Sequence, residues 1–203
     1  MKFLLFLFLI ITLINCNNKI LVLFFSRAGE NFGVGKVNIG NTEKFVNEMK
    51  STLPKSTLYQ KIEPINQYPI SYNEMVKVAR KELDNKLMPE VKNPILDISE
   101  YNTIIIGYPI WHDAVPRIVI NQIEMIKDGF KDKNIILICT HEGSGFSLTK
   151  KEFHEKIINA KSIIEGKCLA GSEVNLHSNE IETFAKSIIN KYYTKKNNDN
   201  IDL

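Results

Sequence analysis

The sequence has few cysteines, no dense run of one charge and no apolar run long enough to cross a bilayer. Only 3 of its 203 residues are Cys, and none form a C-x-x-C pair, which argues against a redox dithiol motif. The formal net charge of +3 is small, and the lysines are scattered among acidic residues. This pattern argues against binding to nucleic acid. With 44% hydrophobic residues, the chain is long enough for one well-buried domain.

The first 16 residues are expected to be a leader. Lys2 precedes an apolar stretch, residues 3–14, which is typical of a secretory signal peptide and shorter than a membrane span. Residues 13–16 also resemble a bacterial lipoprotein signal in which Cys16 is lipidated, although Asn15 differs from the small residue usual there. We therefore expect an exported or membrane-anchored, extracytoplasmic protein, or a cytoplasmic one if the leader does not function.

Strand-length apolar runs alternate with segments of helical period across residues 19–192. This alternation predicts a single α/β domain in which a doubly wound, five-stranded parallel sheet carries helices on both faces. Ser71 and Thr149 each open a capping-box pattern and are predicted to begin helices. Residues 193–203 are expected to form a polar tail. The predicted strands cover residues 20–25, 58–63, 103–108, 134–139 and 168–170.

Cys139 and Cys168 both fall in apolar strand patterns. Such cysteines usually behave as small buried hydrophobic residues. A disulfide between them requires that the two strands be adjacent, which the sequence leaves open.

Three predicted strands end in loops that could bind a ligand. In an open α/β sheet, ligands bind at the carboxyl ends of the strands. The third strand delivers Pro109, Ile110 and Trp111, the only tryptophan, onto such a loop. A planar aromatic residue at this position is a candidate stacking wall for a planar cofactor.

These loops resemble those of the flavodoxin-like family of FMN-binding proteins, over Lys19 to about Lys191. The resemblance implies the strand order 2-1-3-4-5 and FMN as cofactor. Residues 30–39 form an insert between the two halves of the phosphate loop, as in a subset of this family. The matching segments are Phe24-Phe25-Ser26-Arg27, Gly40-Asn41-Thr42-Glu43, Gly107-Tyr108-Pro109-Ile110-Trp111 and residues 139–145.

The resemblance assigns the first loop to the phosphate of FMN. Ser26, Asn41 and Thr42 would cradle the phosphate at a helix N-terminus, where free N–H groups and the helix dipole favour an anion. Arg27 would add charge beside Ala28, or project to solvent.

The other two loops are assigned to the flavin ring. Pro109, Ile110 and Trp111 would flank one side of the flavin ring, and residues of the third loop would face its other edge. His141 is the one candidate proton donor, and the alternative is that it hydrogen-bonds the ring or its own loop. The third-loop residues that would face the ring are Thr140, His141, Gly143, Ser144 and Gly145.

Two other kinds of site are disfavoured. A hydrolase built on Ser144 would need the G-x-S-x-G motif, and Glu142 occupies the place of its first glycine. His112, Asp113, His141 and Glu142 have no spacing diagnostic of zinc, so no metal site is predicted.

The predicted function is that of an FMN-dependent oxidoreductase or electron-transfer protein, of the NAD(P)H:quinone type. Its partners would be a redox protein, or a quinone with NAD(P)H. The alternatives are a pure electron carrier without substrate turnover, and a flavodoxin-fold binding protein without cofactor. Because small flavodoxin carriers are often strongly acidic, the mildly basic charge favours the oxidoreductase.

Overall fold

The computed structural model describes residues 18–194. Within this part of the chain the strands are β1 (Lys19–Phe25), β2 (Gly29–Asn31), β3 (Gly35–Val37), β4 (Leu58–Pro64), β5 (Val91–Lys92), β6 (Tyr101–Pro109), β7 (Asn134–His141) and β8 (Ser162–Ala170). The α-helices are α1 (Asn41–Lys50), α2 (Tyr72–Asp84), α3 (Arg117–Met125), α4 (Thr149–Lys156) and α5 (Ser178–Ile188). Two 3₁₀ helices, Lys127–Phe130 and Gly171–Leu176, and a π-helical turn, Ile189–Tyr193, complete the order.

The central sheet has six strands in the order β5-β4-β1-β6-β7-β8. β4, β1, β6, β7 and β8 run parallel, and β5 pairs antiparallel with the end of β4. The α/β class is confirmed, but the predicted five-stranded sheet of order 2-1-3-4-5 is wrong because β5 adds an edge strand. A strand of two residues is too short to leave an alternating pattern in the sequence.

Three further strands, β2, β3 and β8, differ from the sequence prediction. The insert at residues 30–39 contains most of a hairpin, in which β2 and β3 pair antiparallel from Gly29↔Val37 to Asn31↔Gly35. β8 begins at Ser162, six residues before the predicted start at Cys168. Glu165 and Gly166 interrupt its apolar pattern, which an edge strand tolerates because one of its sides has no neighbouring strand.

The sheet separates two apolar layers. Leu21 and Leu23 of β1 face a layer completed by α3 and Phe153 of α4. Val22 and Phe24 face the opposite layer, completed by α1 and α5. Successive side chains of a strand point to opposite faces, so a strand buried on both sides reads as a continuous apolar run. This explains the uninterrupted sequence of β1.

Cys139 and Cys168 form a disulfide. They are directly paired positions of β7 and β8, and their Cα atoms lie 4.6 Å apart. The two cysteines are therefore covalently joined rather than free. The bond links β7 and β8 close to the ends where both strands enter the carboxyl edge of the sheet.

The starts of α2 and α4 differ from the predicted capping boxes. Ser71 is the N-cap of α2, but its hydroxyl makes no capping bond, and the Tyr72 N–H instead donates to Glu30 Oε2 at 3.0 Å. Thr149 is the first residue of α4 and not its cap. Its buried hydroxyl lies 2.9 Å from the Tyr108 hydroxyl.

Within residues 18–194, no helix combines the length and apolarity that a membrane crossing requires. The predicted leader at residues 1–16, including Cys16, lies outside the described residues. Of the predicted tail at residues 193–203, only the first two residues are described.

Candidate functional site

The three predicted loops meet at one cavity of about 320 Å³ at the carboxyl edge of the sheet. Ala28, Gly143 and Gly145 belong to the same loops but do not line it. The predicted site residues that line the cavity are Ser26, Arg27, Asn41, Thr42, Pro109, Ile110, Trp111, Thr140, His141 and Ser144.

Ser26 holds the start of α1 against the end of β1. Its Oγ accepts a hydrogen bond of 3.0 Å from the Glu43 N–H, which satisfies one of the free donors of the first helical turn. A Cβ at Gly40 would collide with Ser26 Oγ and with the Arg27 carbonyl oxygen, so only glycine permits this close approach. The Asn41 and Thr42 N–H groups have no hydrogen-bond partner within residues 18–194. They remain available to an anion.

Thr42 connects the first loop to the third. Its Oγ1 lies 2.8 Å from Thr140 Oγ1, and both residues are buried. Each hydroxyl can donate one proton and accept others, so one of the pair keeps a proton for another acceptor.

Arg27 is committed to backbone carbonyl groups. Its guanidinium donates to the carbonyl oxygens of Glu30, Pro69 and Ile70 over distances of 2.7 to 3.0 Å. Burial lowers the pKa of Arg27 from its usual range, and the nearby Glu30 carboxylate opposes this effect. Through these hydrogen bonds Arg27 connects the β2–β3 hairpin to the segment that precedes α2.

The hairpin supplies a wall of the cavity that the sequence did not predict. Phe32 lies between β2 and β3, is 61% exposed, and has its ring centroid 5.9 Å from that of Tyr72. A Cβ at Gly33 would lie 3.2 Å from Glu142 Oε2, so the hairpin reaches the third loop. The lining residues missed from the sequence are Asn31, Phe32, Tyr72, Met75, Val76, Ala79, His112, Asp113, Glu142 and Gly171.

Trp111 packs edge-on against two aromatic rings. Its ring centroid lies 5.2 Å from that of Phe25 and 5.1 Å from that of Tyr68, with interplanar angles of 89° and 86°. Such edge-to-face contacts fix an aromatic ring at low conformational cost. The indole is therefore held in place before any ligand arrives.

The turn after Trp111 has two left-handed residues that are not glycine. His112 and Asp113 have φ of 51° and 61°, and Trp111 and Ala114 exchange backbone hydrogen bonds of 3.1 and 3.0 Å across the turn. Side-chain bonds offset the unfavourable φ. His112 Nε2–H donates to the Val76 carbonyl at 3.0 Å, and the Ser147 hydroxyl donates to Asp113 Oδ1 at 3.0 Å.

His141 hydrogen-bonds its own loop. The Gly143 N–H donates to His141 Nδ1 at 2.8 Å, so Nδ1 is unprotonated and the ring proton is on Nε2. Nε2 has no partner within the described residues. Within residues 18–194, no group of three or more His, Cys, Asp or Glu side chains is placed to hold a metal ion.

Glu82 is linked to Trp111 through Tyr68. It is 8% exposed and accepts a hydrogen bond of 3.1 Å from the Tyr68 hydroxyl, whose ring contacts Trp111. Burial raises the pKa of Glu82 to about 7, while Tyr68 and Arg117 oppose the shift. Burial, together with the Glu82 charge, also raises the pKa of Tyr68.

The model of one protein family, described as Flavodoxin, matches residues 19–185. The chain belongs to the flavodoxin family. No curated protein matches the sequence. The family membership confirms the resemblance seen in the three loops, whereas the subgroup with a phosphate-loop insert stays a prediction.

Solved structures share the fold of this chain. A provisionally named flavoprotein from Bacteroides uniformis aligns with a TM-score of 0.64 at 22% identity, over 84% of this chain and 99% of the other. A flavoprotein from Lactobacillus acidophilus, solved in complex with FMN, aligns with a TM-score of 0.59 at 20% identity, over 78% and 97%. The rubredoxin oxygen:oxidoreductase of Desulfovibrio gigas aligns with a TM-score of 0.52 at 12% identity, over 85% and 35%.

Proposed function

We propose that the protein binds FMN at the carboxyl edge of its sheet and acts as an oxidoreductase or electron-transfer protein. The observation that carries this proposal is the convergence of all three loops on one cavity. Membership of the flavodoxin family supports it, and so does the FMN complex of the Lactobacillus acidophilus flavoprotein.

The phosphate end of the cavity suits a phosphorylated ligand. The free N–H groups of Asn41 and Thr42 lie at the positive end of the α1 dipole, and Ser26 and Gly40 hold that end close to β1. The donors are neutral, so they would bind a phosphate through hydrogen bonds without a bidentate arginine, because Arg27 is engaged elsewhere.

The rest of the cavity suits a planar ring. Its volume of about 320 Å³ falls in the lower part of the range of small-molecule sites. Trp111 and Pro109 would flank the flavin on one side, and Thr140, His141 and Ser144 would face its other edge. Gly143 and Gly145, both with positive φ, let the third loop turn sharply there.

Bound FMN would supply the redox chemistry, since it accepts and releases one or two electrons. The protein would orient the ring and exclude water from it. His141 offers a hydrogen bond from Nε2–H, the nitrogen that the Gly143 hydrogen bond leaves protonated. To transfer a proton, His141 would first have to take one up at Nδ1 in place of the Gly143 hydrogen bond. Its role as proton donor is part of the proposal.

Turnover separates an enzyme from an electron carrier. We propose the enzyme, of NAD(P)H:quinone type, because the net charge of +3 is unlike that of an acidic carrier. Steady-state oxidation of NADH or NADPH with a quinone should be fast with FMN-loaded protein. Reversible reduction of the flavin without turnover would indicate a carrier, and absence of any flavin binding would indicate a cofactor-free binding protein.

An extracytoplasmic location is the accompanying proposal. The Cys139–Cys168 disulfide supports it, because disulfides persist in oxidising compartments and are rare in the cytosol. Fractionation of cells that express the full chain would test the location, and C16A would test lipid attachment. Wild type in the membrane fraction and C16A in the soluble exported fraction would agree with a lipoprotein. Wild type in the cytosol would contradict export.

A further inference from the structure

Glu142 places a carboxylate beside the proposed phosphate site. A Cβ at Gly171 would collide with Asn41 Nδ2 and lie 2.7 Å from Glu142 Oε1, so the amide of Asn41 and this carboxylate approach the same point. Asn41 is the first residue of α1 and carries one of the free N–H groups. Glu142 also lines the cavity.

Ser172 holds the side chain of Glu142 in position through two hydrogen bonds. Oε1 accepts the Ser172 N–H at 3.1 Å, and Oε2 accepts the Ser172 hydroxyl at 3.3 Å, at the start of the 3₁₀ helix that follows β8. Oε2 also faces Gly33 of the hairpin. These contacts keep the carboxylate at the phosphate end of the cavity.

No cation neutralises this carboxylate within the described residues. The guanidinium of Arg27 is directed to backbone carbonyls, and the ammonium of Lys44 lies 3.5 Å from Asn41 Oδ1. No ion pair of residues 18–194 includes Glu142. A ligand phosphate would therefore meet a carboxylate that no cation neutralises, next to Asn41, whose N–H group would bind the phosphate.

We infer that Glu142 sets the selectivity of this site between phosphorylated and unphosphorylated flavins, by repelling the phosphate of FMN. This inference rests on the proposed function. A phosphate monoester carries about 1.5 to 2 negative charges near neutral pH, whereas riboflavin carries none. The carboxylate lowers the affinity for FMN and leaves that for riboflavin nearly unchanged, so the wild-type site is less selective than its N–H donors alone would make it.

The variant E142Q removes the charge and keeps the shape. Its carbonyl oxygen can accept the Ser172 N–H, and its amide can donate to the Ser172 hydroxyl. The control E173Q removes the same charge from Glu173, which follows Ser172 in the 3₁₀ helix and does not line the cavity. Glu173 Oε2 lies 3.7 Å from His177 Nε2. Flavin-free wild type, E142Q and E173Q would each be titrated with FMN and with riboflavin, and the dissociation constants compared.

We expect E142Q to bind FMN at least about fivefold more tightly than wild type, with riboflavin affinity within about twofold. The gain should shrink in about 1 M salt, where the screening length is about 3 Å. E173Q should resemble wild type. Three outcomes would each overturn this inference but not the proposed function. They are equal FMN affinity of wild type and E142Q, an equal gain in affinity for both flavins in E142Q, and the same gain in FMN affinity in E173Q. If neither FMN nor riboflavin binds to wild type or to E142Q, the proposed function is overturned as well.

Discussion

Thr42 and Thr140 are 98 positions apart in the sequence, and their hydroxyl oxygens lie 2.8 Å apart in the fold. Thr42 belongs to the first turn of α1 and carries one of the two free N–H groups, and Thr140 lies at the end of β7, where the third loop begins. The two hydroxyls thus join the proposed phosphate site to the loop that would face the flavin ring. Both residues are buried, and both line the cavity.

Removing the two hydroxyls should show strong coupling. We expect T42V and T140V each to lower the free energy of unfolding by about 1 to 2 kcal/mol, because each leaves its partner buried and unpaired. The double variant should lose less than the two single losses combined, because neither hydroxyl is then left without a partner. Urea unfolding of the four proteins measures this, and additive losses would contradict the contact.

Trp111 should contribute to ring binding and not to phosphate binding. We expect W111A to weaken FMN and riboflavin binding by a similar factor of about ten, because both flavins have the same ring. W111F, which keeps an aromatic face, should retain most of the affinity. The double variant S26A/T42A is the complement, and it should weaken FMN more than riboflavin. Fluorescence titration measures all three, and unchanged affinity in W111A would exclude stacking.

The disulfide between Cys139 and Cys168 should stabilise the fold measurably. The two residues are 29 positions apart, and a crosslink that closes a loop of this size stabilises by about 3.6 kcal/mol in the chain-entropy estimate. Thermal unfolding of wild type should therefore begin at a lower temperature after reduction. The C139A/C168A variant should unfold near the temperature of the reduced protein and should not respond to reductant. A wild type that is equally insensitive would show that the bond does not form.

Glu82 should make stability depend on pH. Its pKa is raised from 4.5 to about 7 in the folded chain, so folding favours the protonated carboxyl. The resulting stabilisation is complete below the unfolded pKa near 4.5 and is lost as pH rises through 7. We therefore expect E82Q to be more stable than wild type by about 3 kcal/mol at about pH 9 and by less than about 1 kcal/mol at about pH 5.

Exposed Glu155 of α4 provides the control for this pH experiment. E155Q removes the same charge from a side chain that is 61% exposed. Urea unfolding should show that the free energy of unfolding of E155Q differs from that of wild type by the same small amount at both pH values. If E82Q shows no more pH dependence than E155Q, then Glu82 is ionised in the fold at neutral pH.

The sequence was sufficient to predict which loops meet, because the carboxyl ends of parallel strands lie at one edge of a sheet. Ser26, Trp111 and Thr140 could therefore be grouped before their distances were known. It was not sufficient for contacts that depend on pairing across the sheet. The bond between Cys139 and Cys168 required the register of β7 and β8, which the irregularity in β8 obscures.

The side-chain contacts of the cavity wall were harder to predict than which loops form the cavity. Phe32 lies in a hairpin whose strands have three residues each, too short for an alternating pattern. Glu30 replaces the expected Ser71 side chain at the start of α2, across 42 positions of sequence. Glu142 was considered only as a mismatch to a hydrolase motif and as a possible metal ligand, since its contacts with Ser172 and Gly33 come from distant parts of the chain.

The central claim is that one cavity formed by three loops binds a phosphorylated flavin. The most direct measurement is the visible absorption spectrum of the purified protein after saturation with FMN and removal of unbound flavin by gel filtration. We predict a yellow protein that retains about one FMN per chain, as expected for a single site of this volume. A folded protein that emerges colourless would contradict the account.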